Sequence, residues 1–449
     1  MSKQKIQLSD HFDYSRLLRF VLPCIGTMLF TSIYGIVDGL CVSNFVGKTA
    51  FAAVNLIMPL PMLLGTIGFM LGTGGSAIVG ITLGEGDQKK ADRYFTLFLL
   101  AALVSVSVLA VLGIVFLRPI AVLLGAKGEL LDYAVRYGRI LMVSLPTFAL
   151  QNMFQSFFVT AEKPHLGFWF TVGAGCTNMV LDVLMVGIWG WGVEGAAIAT
   201  FISQLVGGVL PVFYFIDRSN SSRLHLCKTS FYSKVLRDAC INGSSELMTN
   251  LSMSLVNILY NYQLLRLAGE NGVAAYGVIM YAAFLFVAVF VGYAVGSAPI
   301  VSFHYGARNH AEVHNLYRKS LRLIAVVAVT LTLASMFIIP CVARIFVGYD
   351  AELLALTSRA FRLYALSFLI MGFNVYASSF FTALGDGVTS ALISFLRTLA
   401  FQVIAILLLP LLLGIDGIWL AVTAAELAAL AVSAAMLLTK DKVFHYRKA

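Results

Sequence analysis

The stretch GGSAIVGITLG at residues 74–84 occurs a second time, in altered form, as GSAPIVSFHYG at residues 296–306. In both copies two glycines bracket an apolar run that leads directly into a charged segment. A second pair of similar segments, 136–158 and 359–381, lies at nearly the same separation along the chain. Soluble repeat proteins usually repeat every ~20–50 residues. The much longer separation here predicts the duplication of a whole bundle, so that both halves of the chain share one fold.

The composition is that of a protein embedded in lipid. Hydrophobic residues make up 59% of the 449 residues and charged residues 12%, and the mean hydropathy is +0.88. A soluble chain of this length could not bury so much apolar surface. Because a spanning segment must satisfy its backbone hydrogen bonds internally, we expect an all-α integral membrane protein. A duplicated helical bundle in a membrane is typical of transporters.

Twelve apolar runs are long enough to span a bilayer, six in each half of the chain. The first six fall near 17–41, 51–83, 93–117, 136–160, 166–187 and 192–216. The second six fall near 240–265, 274–304, 316–342, 360–384, 388–413 and 417–439. We therefore predict twelve transmembrane helices in two lobes. The amino-terminal lobe is predicted at 1–216, a linker at 217–239 and the carboxy-terminal lobe at 240–449.

The basic residues predict the orientation of the chain. Lysine and arginine are concentrated at the ends of the runs that share a side with both termini and with the polar loop 217–238. By the positive-inside rule, both termini and this loop are predicted to be cytoplasmic. The net charge of +9 then reflects topology and contacts with anionic lipid, so no nucleic-acid partner is expected.

Carboxylates within a predicted span are costly in hydrocarbon and therefore indicate function. Asp38 lies toward the outer end of the first run, and Asp182 lies in the fifth. Asn178 precedes Asp182 by four residues, so both side chains lie on one helix face. Thr200, in the sixth run, adds a hydroxyl group if its face turns inward.

Together these four side chains predict an oxygen-rich site for a proton or for Na⁺, and the sequence leaves the choice open. Each residue also has a simpler interpretation. Asp38 could cap a helix end, the Asn178–Asp182 pair could hold helices together, and Thr200 could bond its own backbone. Pro23 removes a backbone hydrogen bond early in the first run, so a bend is expected there. That bend is either a hinge or a tolerated kink.

The carboxy-terminal half carries different ionisable residues. Glu246 lies near the start of the seventh run, and is either solvated at the interface or functional. Arg397 and Glu426 lie near the middle of the eleventh and twelfth runs, at matching depths. An unpaired charge at that depth would cost several kcal/mol, so we predict that Arg397 and Glu426 pair. The pair is either purely structural or part of a substrate path.

The repeat does not duplicate the Asn178–Asp182 pair. The corresponding positions of the second half are Phe401 and Ala405, so a second cation site of this kind is not expected. Flexible methionines and aromatic residues suit a cavity that accepts varied substrates. The residues placed where they could line such a cavity are Met28, Met153, Met179, Met253 and Tyr260.

Several segments together resemble the multidrug and toxic compound extrusion (MATE) transporters. They are the two glycine-flanked stretches, the Asn178-x-x-x-Asp182 helix, WGVEGAAIATFISQ (191–204) and VAAYGVIM…GSAPIVSFHYGA (273–307). The resemblance covers essentially the whole chain. It implies two six-helix lobes around a central cavity and export of small organic, often cationic, compounds in exchange for H⁺ or Na⁺.

The resemblance also assigns residues. It carries the cation site of the amino-terminal lobe to Asp38, Asn178, Asp182 and Thr200, and a bending first helix to Pro23. No cofactor is expected beyond the coupling ion. We expect a monomer that spans the plasma membrane many times, as in a bacterial inner membrane.

Two other functions were weighed. A flippase for a lipid-linked saccharide or another amphipathic metabolite would share this architecture, but the fourteen-helix flippases have strongly basic cavities, whereas Arg397 is the single buried base expected here. A membrane-embedded enzyme is not expected, because the sequence contains no metal-binding motif of the usual spacings. The absence of a Walker motif argues against direct drive by ATP.

Overall fold

The computed structural model describes residues 6–45, 48–348 and 350–447, with the side chains at 38–48, 340, 342 and 345 left undescribed. Within these residues the regular secondary structure is helical, and twelve helices of spanning length follow one another. The predicted fold class is confirmed. Which face is cytoplasmic stays a prediction.

The first six spans make up the amino-terminal half. They are α1 (Tyr14–Phe45), α2 (Lys48–Ile57 continued by Pro59–Gly84), α3 (Gln88–Leu123), α4 (Gly128–Thr160), α5 (Pro164–Asp182 with a π-helical turn Val183–Ile188) and α6 (Gly192–Ile216). By hydropathy alone α4 does not stand out as a span. The polar residues Gln151, Asn152 and Gln155 reduce its hydropathy, and the first two are buried inside the lobe.

The second six spans follow the linker. One continuous helix, Ser233–Gly306, supplies α7 (233–268) and α8 (270–306), followed by α9 (His310–Val347), α10 (Ala351–Ala365 and Phe368–Ala383), α11 (Gly387–Phe395, π-helical turn Leu396–Ala400, Phe401–Leu413) and α12 (Ile415–Thr439). Gly269 separates α7 from α8 with φ 61° and ψ −151°. Backbone of that kind is open essentially to glycine alone. The two parts of α10 meet at 46°.

Both described ends of the chain lie beside the start of α9. Nδ1 of His11 is 2.6 Å from Oε2 of Glu312, and Nδ1 of His314 is 3.0 Å from the carbonyl oxygen of Tyr446. The linker packs on the same face, where the amide of Leu226 donates to the carbonyl of Phe215. This face consists of residues 6–13, the linker and residues 440–447, and we call it the terminal face.

The glycines of the repeated stretches bring the two lobes into backbone contact near the terminal face. A Cβ atom on Gly74 would overlap the carbonyl oxygen of Ala239, and one on Gly84 would overlap that of Phe303. Gly306 is equally tight against the backbone of Ile81 in α2. Small residues allow helices in lipid to approach this closely. The repeated glycines thus close the terminal side of the interface between the lobes.

Candidate functional site

The predicted pair in α5 is fully enclosed by the amino-terminal lobe. Asn178 is 2% exposed and Asp182 is 0% exposed, although both are strongly polar. They lie one helical turn apart on the face of α5 that α1 and α6 cover. The Nδ2 atom of Asn178 is buried and has no hydrogen-bond partner among the described residues. Polar groups placed in this way are expensive unless they serve a ligand or an ion.

Gly175, about one turn before Asn178 on α5, allows α1 to approach α5 closely. A Cβ on Gly175 would lie 2.5 Å from Cε1 of Phe30 and 3.2 Å from Cδ1 of Tyr34. Tyr34 therefore stands at the α1–α5 seam beside the Asn178–Asp182 face. Tyr34 was not among the residues predicted for the site, although it precedes Asp38 by one helical turn and so lies on the same face of α1.

The α-helical part of α5 ends at Asp182, where a π-helical turn over Val183–Ile188 begins. A π-helical turn shifts the i→i+4 hydrogen-bond ladder and is frequent at functional sites. The π-helical turn also packs against α1 and α6. The local geometry of the backbone is thus irregular at the point where the buried carboxylate stands.

Thr200 lies on α6, and its hydroxyl group donates to the carbonyl oxygen of Ala196 at 3.0 Å. Its oxygen retains free lone pairs, so this bond does not decide whether it also serves an ion. Asp38 falls in α1, but its side chain lies outside the described residues. The donors of the predicted site are carboxylate, amide and hydroxyl oxygens, a set that suits a proton or Na⁺.

Pro23 lies inside α1, which continues through it without a break. Its carbonyl oxygen accepts a hydrogen bond from Oγ1 of Thr27 at 2.9 Å. Thr27 also lines a small void next to Met28 and Gln155, between α1, α4, α5 and α8. The region around Pro23 therefore contains polar groups and little free space, and its role as a hinge stays a prediction.

The predicted pairing of Arg397 with Glu426 is confirmed. Nη1 of Arg397 lies 3.3 Å from Oε1 of Glu426, and the two side chains are 12% and 3% exposed. Asn374 on α10 donates from Nδ2 to Oε2 of Glu426 at 2.7 Å, and accepts from Ser433 at 2.9 Å. Asn374 and Ser433 were not predicted from the sequence. They are uncharged, and uncharged polar residues within a span do not by themselves indicate a site. Arg397 lies in the π-helical turn of α11.

Glu246 lies on α7, and its residue is partly exposed. Arg397 is near enough to attract the Glu246 carboxylate electrostatically, whereas its ion pair is with Glu426. Phe401 and Ala405 occupy the positions that correspond to Asn178 and Asp182 in the repeat. Both are apolar, and Ala405 is buried. The fifth helix of each lobe thus carries one ionisable residue at a π-helical turn, a buried acid in one lobe and a largely buried base in the other.

The five predicted substrate contacts do not form one surface in this conformation. Met153 and Tyr260 are buried, at 0% and 2% exposure, whereas Met253 is 43% exposed. Tyr260 stacks on Tyr276 with ring centroids 5.0 Å apart. Met28 and Met179 are partly buried. A role in substrate binding stays a prediction for all five residues.

The chain is similar over nearly its full length to curated bacterial exporters. It is 21% identical over 436 residues to the multidrug export protein MepA of Staphylococcus saprophyticus, with 96% of this chain and 95% of the relative covered. MepA of Staphylococcus aureus is also 21% identical, over 432 residues, with the same coverage.

Solved structures share the fold of the whole chain. The outward-facing conformation of a multidrug resistance MATE family transporter of the MOP superfamily superposes with a TM-score of 0.91 at 23% identity, and covers 100% of both chains. The sequence profile of the MatE family matches residues 23–184 and 247–408, one match in each half. These matches cover most of the chain and reproduce its repeat, so the protein belongs to the MatE family, which comprises membrane transporters and not enzymes.

Proposed function

We propose that this protein is a secondary antiporter that exports small organic, often cationic, compounds in exchange for H⁺ or Na⁺. The observation that carries the proposal is the burial of Asn178 and Asp182 on one face of α5. A carboxylate enclosed by helices is costly to keep ionised, so it favours binding of a proton or a cation. The curated MepA relatives are multidrug exporters by name, which supports the substrate class.

The coupling site is proposed to comprise Asp38, Asn178, Asp182 and Thr200, with Pro23 as the hinge of α1. Na⁺ or a proton would bind the same oxygens, and its binding would change the charge that α1 and α5 enclose. Each ion could then alter the balance between two arrangements of the helices, as alternating access requires. The residues Met28, Met153, Met179, Met253 and Tyr260 are proposed to meet substrate as the lobes rearrange.

The terminal face is proposed to be cytoplasmic, in the plasma membrane of a bacterium, because lysine and arginine are concentrated there. The lobes are in contact on that side, so the protein would be closed to the cytoplasm in this conformation. We propose a monomer as the working unit, because each half of the repeat supplies one lobe.

The test is transport of a fluorescent cationic dye in proteoliposomes, with a pH gradient and a Na⁺ gradient imposed separately. One of the two gradients should drive dye movement in the wild type. Asp182→Asn should lower the gradient-driven rate of dye transport at least about tenfold, because it removes the ionisable group (~1.4 kcal/mol per factor of ten). Asp132→Asn is the matched control, since Asp132 is an exposed carboxylate near the start of α4.

If neither gradient drives dye movement, or if Asp182→Asn transports like Asp132→Asn, the proposal fails. The same vesicles distinguish a flippase, which would move a fluorescent lipid-linked saccharide without either gradient. The structure gives that alternative little support, because Arg397 is already paired with Glu426 and does not make the carboxy-terminal lobe basic.

A further inference from the structure

Three cations lie in the third and fourth turns of α9. Arg318, Lys319 and Arg322 follow one another within five positions, and Arg318 and Arg322 lie on the same face one turn apart. Arg318 and Arg322 are exposed. Within residues 6–45, 48–348 and 350–447, none of the three cations forms an ion pair with a carboxylate. Their positive charge is therefore available to a partner.

The cations meet the beginning of α1 through one aromatic ring. Nη1 of Arg322 donates to the hydroxyl oxygen of Tyr14 at 3.4 Å, and Nζ of Lys319 lies 5.5 Å from the centroid of that ring. Lys319 also donates to the carbonyl oxygen of Phe12 at 2.6 Å. We call Tyr14, Arg318, Lys319 and Arg322 the α1–α9 basic patch. It joins the first helix of one lobe to the third helix of the other.

The patch lies at the depth of lipid headgroups. The apolar sequence begins at Phe20 in α1 and at Leu323 in α9. Arg19 and Arg322 are thus the last charged positions before the hydrocarbon region, and Tyr14 lies less than two turns outside Arg19. Tyrosine is enriched at that boundary, and arginine can lay its apolar stem along the helix while its guanidinium reaches the phosphate layer.

These charges are not a requirement of the fold. The residues of α3 that correspond to Arg318 and Arg322 in the repeat are Thr96 and Leu100. The same helix in the other lobe therefore forms without a cation at either position. Two of the described acids near the patch are Asp13, which interacts with the charges of Arg16 and Lys319, and Glu312, which accepts from the amide of Phe12. The three cations outnumber these two carboxylates, so the patch stays positive.

We propose that the α1–α9 basic patch binds the phosphate group of an anionic phospholipid in the leaflet at the terminal face. The lipid would join α1 to α9 across the seam between the lobes and would stabilise the conformation in which this face is closed. A lipid is the occupant that the depth of the patch favours, because a soluble peptide or nucleic acid would approach from the water beyond it. The inference concerns lipid binding and is independent of the coupling site.

The test uses the full chain purified in detergent with phosphatidylcholine. Phosphatidylglycerol is then added, and the rise in Tm and the mass of bound lipid in native mass spectra are followed. The double variant Arg318→Gln/Arg322→Gln should need roughly 10- to 30-fold more phosphatidylglycerol for the half-maximal rise, since two basic residues near the phosphate are removed. The control Lys89→Gln/Arg93→Gln removes the same charge from exposed positions on α3 and should titrate like the wild type.

Inorganic phosphate and phosphatidylcholine serve as comparison ligands and should give no rise in Tm. The proposal is overturned if the patch variant and the α3 control bind phosphatidylglycerol equally, or if inorganic phosphate replaces the lipid. If the double variant does not fold, Arg318→Gln alone is used, because Arg318 is exposed. That single variant should weaken binding about fivefold, and unchanged binding would equally overturn the proposal. The measurement needs no substrate, so a failure of the antiport proposal would leave its result intact.

Discussion

Nη1 of Arg397 lies 3.3 Å from Oε1 of Glu426 in the interior of the carboxy-terminal lobe, whereas the fifth helix of the other lobe holds Asn178 and Asp182. Glu426 is also held by the amide of Asn374, so its two oxygens are both occupied. The charges of this pair compensate each other within the protein. The two halves therefore share a fold, but one encloses an ion pair and the other an acid beside a neutral amide.

The Arg397–Glu426 pair should be strongly coupled in unfolding experiments. Glu426→Gln leaves the largely buried guanidinium without the carboxylate that it contacts, which should lower the free energy of unfolding by about 3–5 kcal/mol. The double variant Arg397→Met/Glu426→Gln should recover much of that loss, since both charges of the pair are removed together. Thermal or denaturant unfolding in detergent measures the difference. The pair Arg359–Asp416, whose arginine is exposed and whose aspartate is partly buried, is the control, and Arg359→Gln should cost less than about 1 kcal/mol. Additive effects of the two C-lobe changes would contradict the predicted coupling.

The glycine contacts between the lobes predict a sharp steric effect. Gly243→Ala would push a methyl group into the carbonyl of Met70, so we expect a loss of about 1–3 kcal/mol and impaired closure of the terminal face. Gly277 on α8 has open space around its Cβ position. Gly277→Ala should therefore be neutral or stabilising by up to about 1 kcal/mol. Transport and Tm of the two variants are measured side by side, and equal behaviour would refute the steric interpretation.

Asp386 lies in the loop between α10 and α11, and it should make the free energy of unfolding depend on pH. Burial alone would raise the pKa of Asp386, but hydrogen bonds from Lys440 and Thr389 outweigh it and leave the pKa below its usual value. Oδ2 of Asp386 lies 2.8 Å from Nζ of Lys440, and its Oδ1 caps α11 by accepting from the amide of Thr389. A carboxylate with a lowered folded-state pKa stabilises above its unfolded pKa of about 3.9, and this contribution is lost as pH falls through the folded value.

Two variants separate the cap from the ion pair at this position. Asp386→Ala should cost about 1–2 kcal/mol at pH 7, and Asp386→Asn should cost less because asparagine also caps helices. The difference in Tm between the wild type and Asp386→Asn should be largest at pH 6–7 and should decrease below about pH 4. A difference that stays constant from pH 7 to pH 3.5 would show that the ionised carboxylate contributes nothing.

Pro23 is predicted to act in transport rather than in stability. Pro23→Ala restores a backbone donor inside α1 and should stiffen the helix, so transport should fall several-fold while Tm stays the same or rises. Pro119→Ala on α3 is the matched control, because Pro119 also lies within a helix. Dye transport and Tm are measured for both variants. Transport at the wild-type rate in Pro23→Ala would mean that the proline is only a tolerated kink.

The sequence was sufficient for much of the fold. Twelve apolar runs predicted twelve helices, and the matching depths of Arg397 and Glu426 predicted their contact. Both conclusions rest on one-dimensional information, namely the length of a run and the distance of a residue from its end.

The parts that escaped prediction depend on packing between distant segments. Asn374 and Ser433 complete the Glu426 network from α10 and α12, and nothing in their local sequence distinguishes them from other polar residues that bond their own helix. The π-helical turns at Val183–Ile188 and Leu396–Ala400 likewise arise where a helix adjusts to its neighbours. Tyr34 could have been found, because it precedes Asp38 by one turn.

The central claim is that the coupling ion binds in the amino-terminal lobe, at the site that includes Asp182. The most direct test measures ion release when a cationic substrate is added to the purified protein, with a pH indicator in weak buffer and, separately, with bound ²²Na⁺. The wild type should release about one ion of one kind per substrate bound, Asp182→Asn should release none, and Glu246→Gln in the other lobe should release as much as the wild type. Undiminished release from Asp182→Asn, or its loss in Glu246→Gln, would contradict the account.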